Sequence, residues 1–155
     1  MQEEYTEVRA RIKEIAHMLE VEEPSKIYID YYWCIESTEI SRYVREHDMM
    51  ILDKFVIDYG DEDLIDSLIV HECCHLKITG HGPDFQGLFK NIKPDVPFEL
   101  FNHPKFSSLQ EKLMSLGFLN NDTTWNPWNL ERIPRRPINE DVYNYLVSQK
   151  SPNLL

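Results

Sequence analysis

Apolar residues recur at helical spacing from Tyr5 through Val8, Ile12, Ile15 and Ala16 to Leu19. This predicts an amphipathic helix over about residues 3–20. Its other face carries Glu7, Arg9, Arg11, Lys13 and Glu14. Residues 22–25, which include Pro24, break the pattern as a turn. The period then shortens to two. Ile27, Ile29, Tyr31 and Trp33 alternate with Tyr28, Asp30 and Tyr32, which predicts a strand over residues 26–34. A weaker strand is expected at 38–44 and a third at 49–57, with a turn at Glu46-His47-Asp48 between them.

Beyond a break at Asp58-Tyr59-Gly60-Asp61, the residues Leu64, Ile65, Leu68, Ile69 and Leu76 mark a strongly apolar helix over about 62–79. Asp61 is placed to cap it, and Glu62 and Asp63 suit its positive N-terminal end. Gly82-Pro83-Asp84 opens another helix, with Pro in the first turn and Phe85, Leu88, Phe89 and Ile92 on one face. From Lys93 onward the character changes. Pro94, Pro97 and Pro104 interrupt an aromatic run from Phe98 to Phe101. Phe106, Leu109, Leu113 and Leu116 mark a helix closed by Gly117. Residues 118–138 are polar and proline-rich, and 139–149 read as a short final helix. This order predicts an α+β fold: an N-terminal helix, a small sheet of about three strands and two further helices, with a mostly helical C-terminal extension. The expected division is a core over 1–92 and an extension over 93–155 packed on it, a single domain overall.

The chain has 155 residues and 42% hydrophobic content, enough for one domain with a real core. Its formal net charge of −11 argues against a general nucleic-acid binder, because phosphate contacts need Lys and Arg. Trp125 and Trp128 with Arg132, Arg135 and Arg136 offer stacking and phosphate contacts; they equally suit anchors of a loop on its own protein. Cys34, Cys73 and Cys74 form no disulfide framework, which suits a reducing compartment. The N-terminus has no basic and apolar leader pattern, and no stretch is apolar enough to span a membrane. A soluble, cytoplasmic protein is expected. Oligomeric state leaves no mark in the sequence.

The chemistry concentrates in His71-Glu72-Cys73-Cys74-His75. On a helix, His71 and His75 lie one turn apart on one face, where two neutral imidazoles bind one zinc ion. Glu72 then reaches a water held by that ion and serves as general base, the HExxH arrangement of metalloproteases. Gly80 reverses the chain and brings in His81 as third ligand, leaving one position open for water. One Zn²⁺ per chain is expected, although imidazole suits several transition metals. The metzincin spacing is not met, because the glycine stands five residues after His75, not three. Asp84 is a candidate to orient His81, or serves only the helix N-terminus.

The segment HECCHLKITGHGPDF resembles the metal-binding segment of SprT-like and YgjP-like (WLM-type) zinc metallopeptidases. The HGPDF end is closest to the SprT-like proteins, and the short gap from His75 to His81 to the YgjP-like branch. Gln86 stands where the YgjP-like pattern has Trp, and no CxxC pair supplies the zinc ribbon that SprT-like proteins often carry. The resemblance implies a minimal zincin-like core and hydrolysis of peptide bonds in a peptide or protein substrate, through a zinc-activated water with Glu72 as general base. It also implies a substrate-pairing edge strand, for which Met49, Met50, Ile51, Leu52, Asp53, Lys54 and Phe55 are the candidates; these also read as an ordinary core strand. The SprT-like side implies action on DNA-associated proteins, a reading the acidic charge does not favour. A non-proteolytic zinc-binding interaction module or a small-molecule zinc hydrolase is the remaining alternative. A second oxyanion stabiliser is expected, with His103 and several tyrosines as candidates.

Overall fold

Met49–Asp53 (β3) is an apolar run closed by one acid, and all five residues are buried. Such a run suits a strand covered on both faces. The structure, a computed structural model, describes residues 5–126, 133–151 and 153–154. In it β3 is the middle of a three-stranded sheet, between β1 (Lys26–Asp30) and β2 (Ser41–Val44). β1 runs parallel to β3, with Lys26 opposite Met49 and Asp30 opposite Asp53. β2 runs antiparallel, with Ser41 opposite Leu52 and Val44 opposite Met49. Both edges of β3 are therefore taken, and β2 forms one outer edge. The expectation that residues 49–55 form an edge strand is corrected here.

The fold is α+β, as expected. Seven helices surround the sheet among the described residues: α1 (Thr6–Met18), α2 (Trp33–Glu36), α3 (Lys54–Tyr59), α4 (Glu62–Cys74), α5 (Pro83–Ile92), α6 (Phe106–Ser115) and α7 (Glu140–Ser148). One continuous apolar core runs from Val8 on α1 to Leu146 on α7. No helix among the described residues is long and apolar enough to cross a membrane.

Two expected strands are shorter than their patterns, and one side chain accounts for both. Asp53 is fully buried. Its Oδ1 accepts the backbone N–H groups of Tyr32 (3.1 Å) and Trp33 (2.9 Å). Its Oδ2 accepts that of Val56 (3.1 Å) and so caps α3. The first strand stops at Asp30, and the chain turns into α2. The third stops at Asp53, and Lys54 to Ile57 become helix instead of strand. Burial pushes the Asp53 carboxyl up to about 7, against the pull of those N–H donors. Its neighbour Asp30 accepts from Ile138 (2.8 Å) and Asn139 (2.8 Å), and so ties the start of α7 to the end of β1.

α4 starts where Asp61 accepts from the N–H of Asp63 (2.8 Å). Gly60 just before it admits no side chain, since a Cβ there would lie 2.5 Å from the carbonyl oxygen of Val56. α4 packs on α1, where Arg11 pairs with Asp66 (2.7 Å). From Ser67 to Cys74 every residue of α4 is buried. The regular helix ends at Cys74, not at the expected residue 79. Leu76 bonds back to Cys73 (2.9 Å) and Lys77 to Cys74 (3.1 Å), i→i+3 bonds that tighten the last turn, and Ile78 also bonds to Cys74 (2.9 Å). The three cysteines are free and buried, and burial pushes their thiols up.

Candidate metal centre

His71 lies in the last turn of α4 and His75 at its C-terminal cap. Gly80 has φ +77°, the left-handed region that glycine adopts without strain. The reversal it makes returns His81 to the helix. The Nε2 of His81 stands 3.1 Å from Nε2 of His71 and 3.1 Å from Nε2 of His75. Gln86, at the position where the YgjP-like pattern carries Trp, donates to the His81 carbonyl (2.8 Å) and holds this turn against α5.

The tautomers of two of these rings are set by backbone carbonyls. His71 Nδ1 faces the carbonyl oxygen of Phe98 at 2.7 Å, and His75 Nδ1 faces that of Ile78 at 3.0 Å. A carbonyl only accepts, so both Nδ1 atoms carry the proton and both Nε2 atoms present a lone pair. Those lone pairs converge on one point together with His81. Such a point suits a cation, and zinc bonds of about 2.0–2.1 Å in tetrahedral geometry place ligand nitrogens roughly 3.3 Å apart. The donor set fits a borderline metal ion. Burial holds His71 neutral, its imidazole pushed down to about 4, and lowers His75 as well. Phe85 packs against all three rings, stacked on His75 at 4.4 Å and edge-on to His71 and His81 at 5.0 and 4.9 Å.

Glu72 is 3% exposed, and its Oε2 lies 3.9 Å from His71 Nε2. Ser41 on β2 donates to the same oxygen at 2.8 Å. Burial raises the Glu72 carboxyl above its ordinary range, opposed by His75 and by the Ser41 hydroxyl. The triad and Glu72 open on a cleft of about 720 Å³, whose lining includes the residues of β2 together with Phe98, Leu100 and Phe101. Arg45, just past β2, donates to the His75 carbonyl and stacks over Tyr43 at 5.4 Å.

Several residues singled out in the sequence lie elsewhere. None of Met49 to Phe55 lines this cleft. Lys54 pairs with Asp58 (2.7 Å), and Phe55 sits edge-on to Tyr31 and Phe118. Asp84 is exposed in the first turn of α5, with no hydrogen bond to His81 among the described residues. His103 is no oxyanion donor at the cleft: its buried ring takes the Lys105 N–H at Nδ1 (3.0 Å) and donates from Nε2 to Asp63 (2.9 Å). Trp125 packs edge-on to Trp33 at 4.9 Å, and Arg136 covers Tyr143 at 3.7 Å, so both anchor their own chain. Trp128 and Arg132 lie outside the described residues.

Sequence reasoning missed Ser41 and the Phe98 carbonyl. A serine in a short weak strand carries no chemical signal, and a main-chain oxygen carries none at all. Ser41-Arg42-Tyr43-Val44 mixes polar with apolar residues, whereas Met49 to Leu52 is apolar throughout, a contrast that leaves the pairing order of the strands open.

A helix-borne pair of imidazoles, a third returned by a glycine turn and a buried glutamate beside them are the parts of a metallopeptidase site. The YgjP-like metallopeptidase domain matches residues 59–98, the stretch from the end of α3 through Phe98. The resemblance drawn from the sequence is borne out over that stretch, which carries the three imidazoles and Glu72. A crystal structure of the metallopeptidase zymogen of Methanocaldococcus jannaschii, jannalysin, is similar at 22% identity and a TM-score of 0.47, over 70% of this chain and 95% of that one. No curated protein matches the chain.

Proposed function

We propose that the protein is a zinc-dependent peptidase in which His71, His75 and His81 hold one Zn²⁺ and Glu72 is the general base. The observation that carries this reading is the convergence of three Nε2 atoms, two of them forced to be lone pairs, beside a buried carboxylate. Bound zinc would polarise the scissile carbonyl and acidify a water molecule. The Glu72 carboxylate takes the proton from that water and passes it to the leaving amine. The raised carboxyl brings its proton affinity nearer to the working pH, which favours both transfers.

The extended substrate lies along the outer edge of β2, which replaces β3 as the pairing strand. β2 is an outer strand of the sheet and its residues line the cleft, and a peptide adds to such an edge by main-chain hydrogen bonds. Phe98, Leu100 and Phe101 give the same cleft apolar surface. Glu99, Tyr145 and Gln149 complete the lining of the cleft.

The test begins with metal analysis of protein purified without chelator or nickel, where about one zinc per chain is expected. Glu72→Gln should then keep the zinc and lose turnover of a peptide panel by about a hundredfold or more. A chain that takes up no metal, or a fully active Glu72→Gln, overturns the reading.

A further inference from the structure

We propose that Ser41 is a positioning residue for Glu72, so that one strand both pairs with the substrate and aims the general base. The inference rests on the peptidase reading above. Ser41 is the first residue of β2, buried at 8% exposure, and its hydroxyl donates to Glu72 Oε2 at 2.8 Å. Among the described residues this is the hydrogen bond that the Glu72 side chain makes. A carboxylate has two oxygens, each able to accept. Oε2 is also the oxygen that lies 3.9 Å from His71 Nε2, so the Ser41 hydroxyl holds the oxygen next to the three imidazoles.

The placement of Ser41 is unusual for a residue that merely solvates a buried charge. It belongs to the strand and not to α4, which carries Glu72. Its backbone is held by β3 in register with Leu52, and β3 is locked on both sides. The hydroxyl is therefore delivered by a rigid element. The adjoining 3-10 turn reaches the same end of α4 through Arg45 and the His75 carbonyl. β2 and the turn that follows it thus touch both the base and the carbonyl end of the metal-bearing helix. Without the Ser41 donor, the Glu72 side chain has rotamers to choose from, and a general base acts only within hydrogen-bond reach of its proton.

The test compares wild type, Ser41→Ala and Ser41→Thr, each loaded with zinc, on a quenched-fluorescent peptide pool, alongside crystal structures of the metal-free wild type and Ser41→Ala. Removing the hydroxyl should lower kcat at least tenfold, with KM within about twofold and zinc content unchanged, because the β2 backbone and the three imidazoles stay in place. Ser41→Thr keeps a hydroxyl and should recover most of the loss. In the Ser41→Ala crystal the Glu72 carboxylate should leave its wild-type position. A Ser41→Ala enzyme with wild-type kcat, or a Glu72 carboxylate that stays in place without Ser41, overturns the positioning role alone. A zinc-loaded wild type that cleaves none of the peptides overturns the peptidase reading itself, and the inference with it.

Discussion

His71 Nδ1 lies 2.7 Å from the carbonyl oxygen of Phe98, a residue 27 positions further along the chain. This bond joins the helix that carries His71 to a segment that lines the cleft. It sets the proton on Nδ1 and thereby frees Nε2 for a metal. Metal-ligating histidines commonly have such a partner, and losing it typically weakens metal affinity about 10–100-fold.

The Phe98 segment is pinned at its far end by His103, whose ring is buried against Asp63. Replacing His103 by Ala removes that pin without touching a candidate ligand. Zinc affinity, measured by competition with a chromophoric chelator, should fall roughly tenfold, within the range for lost orienting partners. Unchanged affinity would show that the Phe98 carbonyl is held by other contacts.

Phe85 is fully buried and stacks on His75. Phe85→Ala should cost about 3–5 kcal/mol of stability, the usual range for a deleted core aromatic. A chemical denaturation curve of the metal-free protein checks this. Phe85→Leu retains most of the volume and should cost less. Both variants should also bind zinc more weakly, since three imidazoles lose the ring they rest on.

Asp53 gives the stability a pH dependence. Its folded-state value, about 7, lies above the ordinary carboxylate value of 3.8. The stability it contributes is therefore fully present below pH 3.8 and is lost as the pH rises through 7, by at most about 4 kcal/mol. Asp53→Asn cannot lose a proton, so its stability should vary less between pH 4 and 7.5 than that of wild type. It should be less stable overall by roughly 1–3 kcal/mol, because the amide turns a donor toward the Val56 N–H. Urea titrations in the presence of chelator, at several pH values, separate the two effects.

DNA should not stimulate the enzyme. Glu39, Glu46 and Glu99 line the cleft, and the chain carries a net charge of −11. Trp125 is engaged with Trp33 and Phe55, and Arg136 with Tyr143 and Glu140. Adding a single-stranded oligonucleotide at about 0.15 M salt should change neither proteolysis nor the electrophoretic mobility of the DNA. Salt-sensitive stimulation would revive the reading as a protease of DNA-associated proteins.

Much of the fold was legible because it depends on local patterns. The α5 and α7 spans follow from Pro83 and Asn139 at their starts and from apolar residues at helical spacing. The third strand was read four residues too long because Phe55, Val56 and Ile57 continue its apolar run. Only the folded chain shows Asp53 placed to cap a helix over the same residues.

The sequence by itself determined the candidate ligands, His71, His75 and His81, and the candidate base, Glu72, because a helix fixes the spacing of its own side chains and a glycine permits the reversal after it. Tertiary structure alone decided that β2, and not β3, is the open edge, since strand order depends on which backbones pair at long range. It alone brought Ser41 to Glu72 and the Phe98 carbonyl to His71. Those partners lie 31 and 27 residues apart, and no periodicity in the chain records a contact made only when distant segments pack.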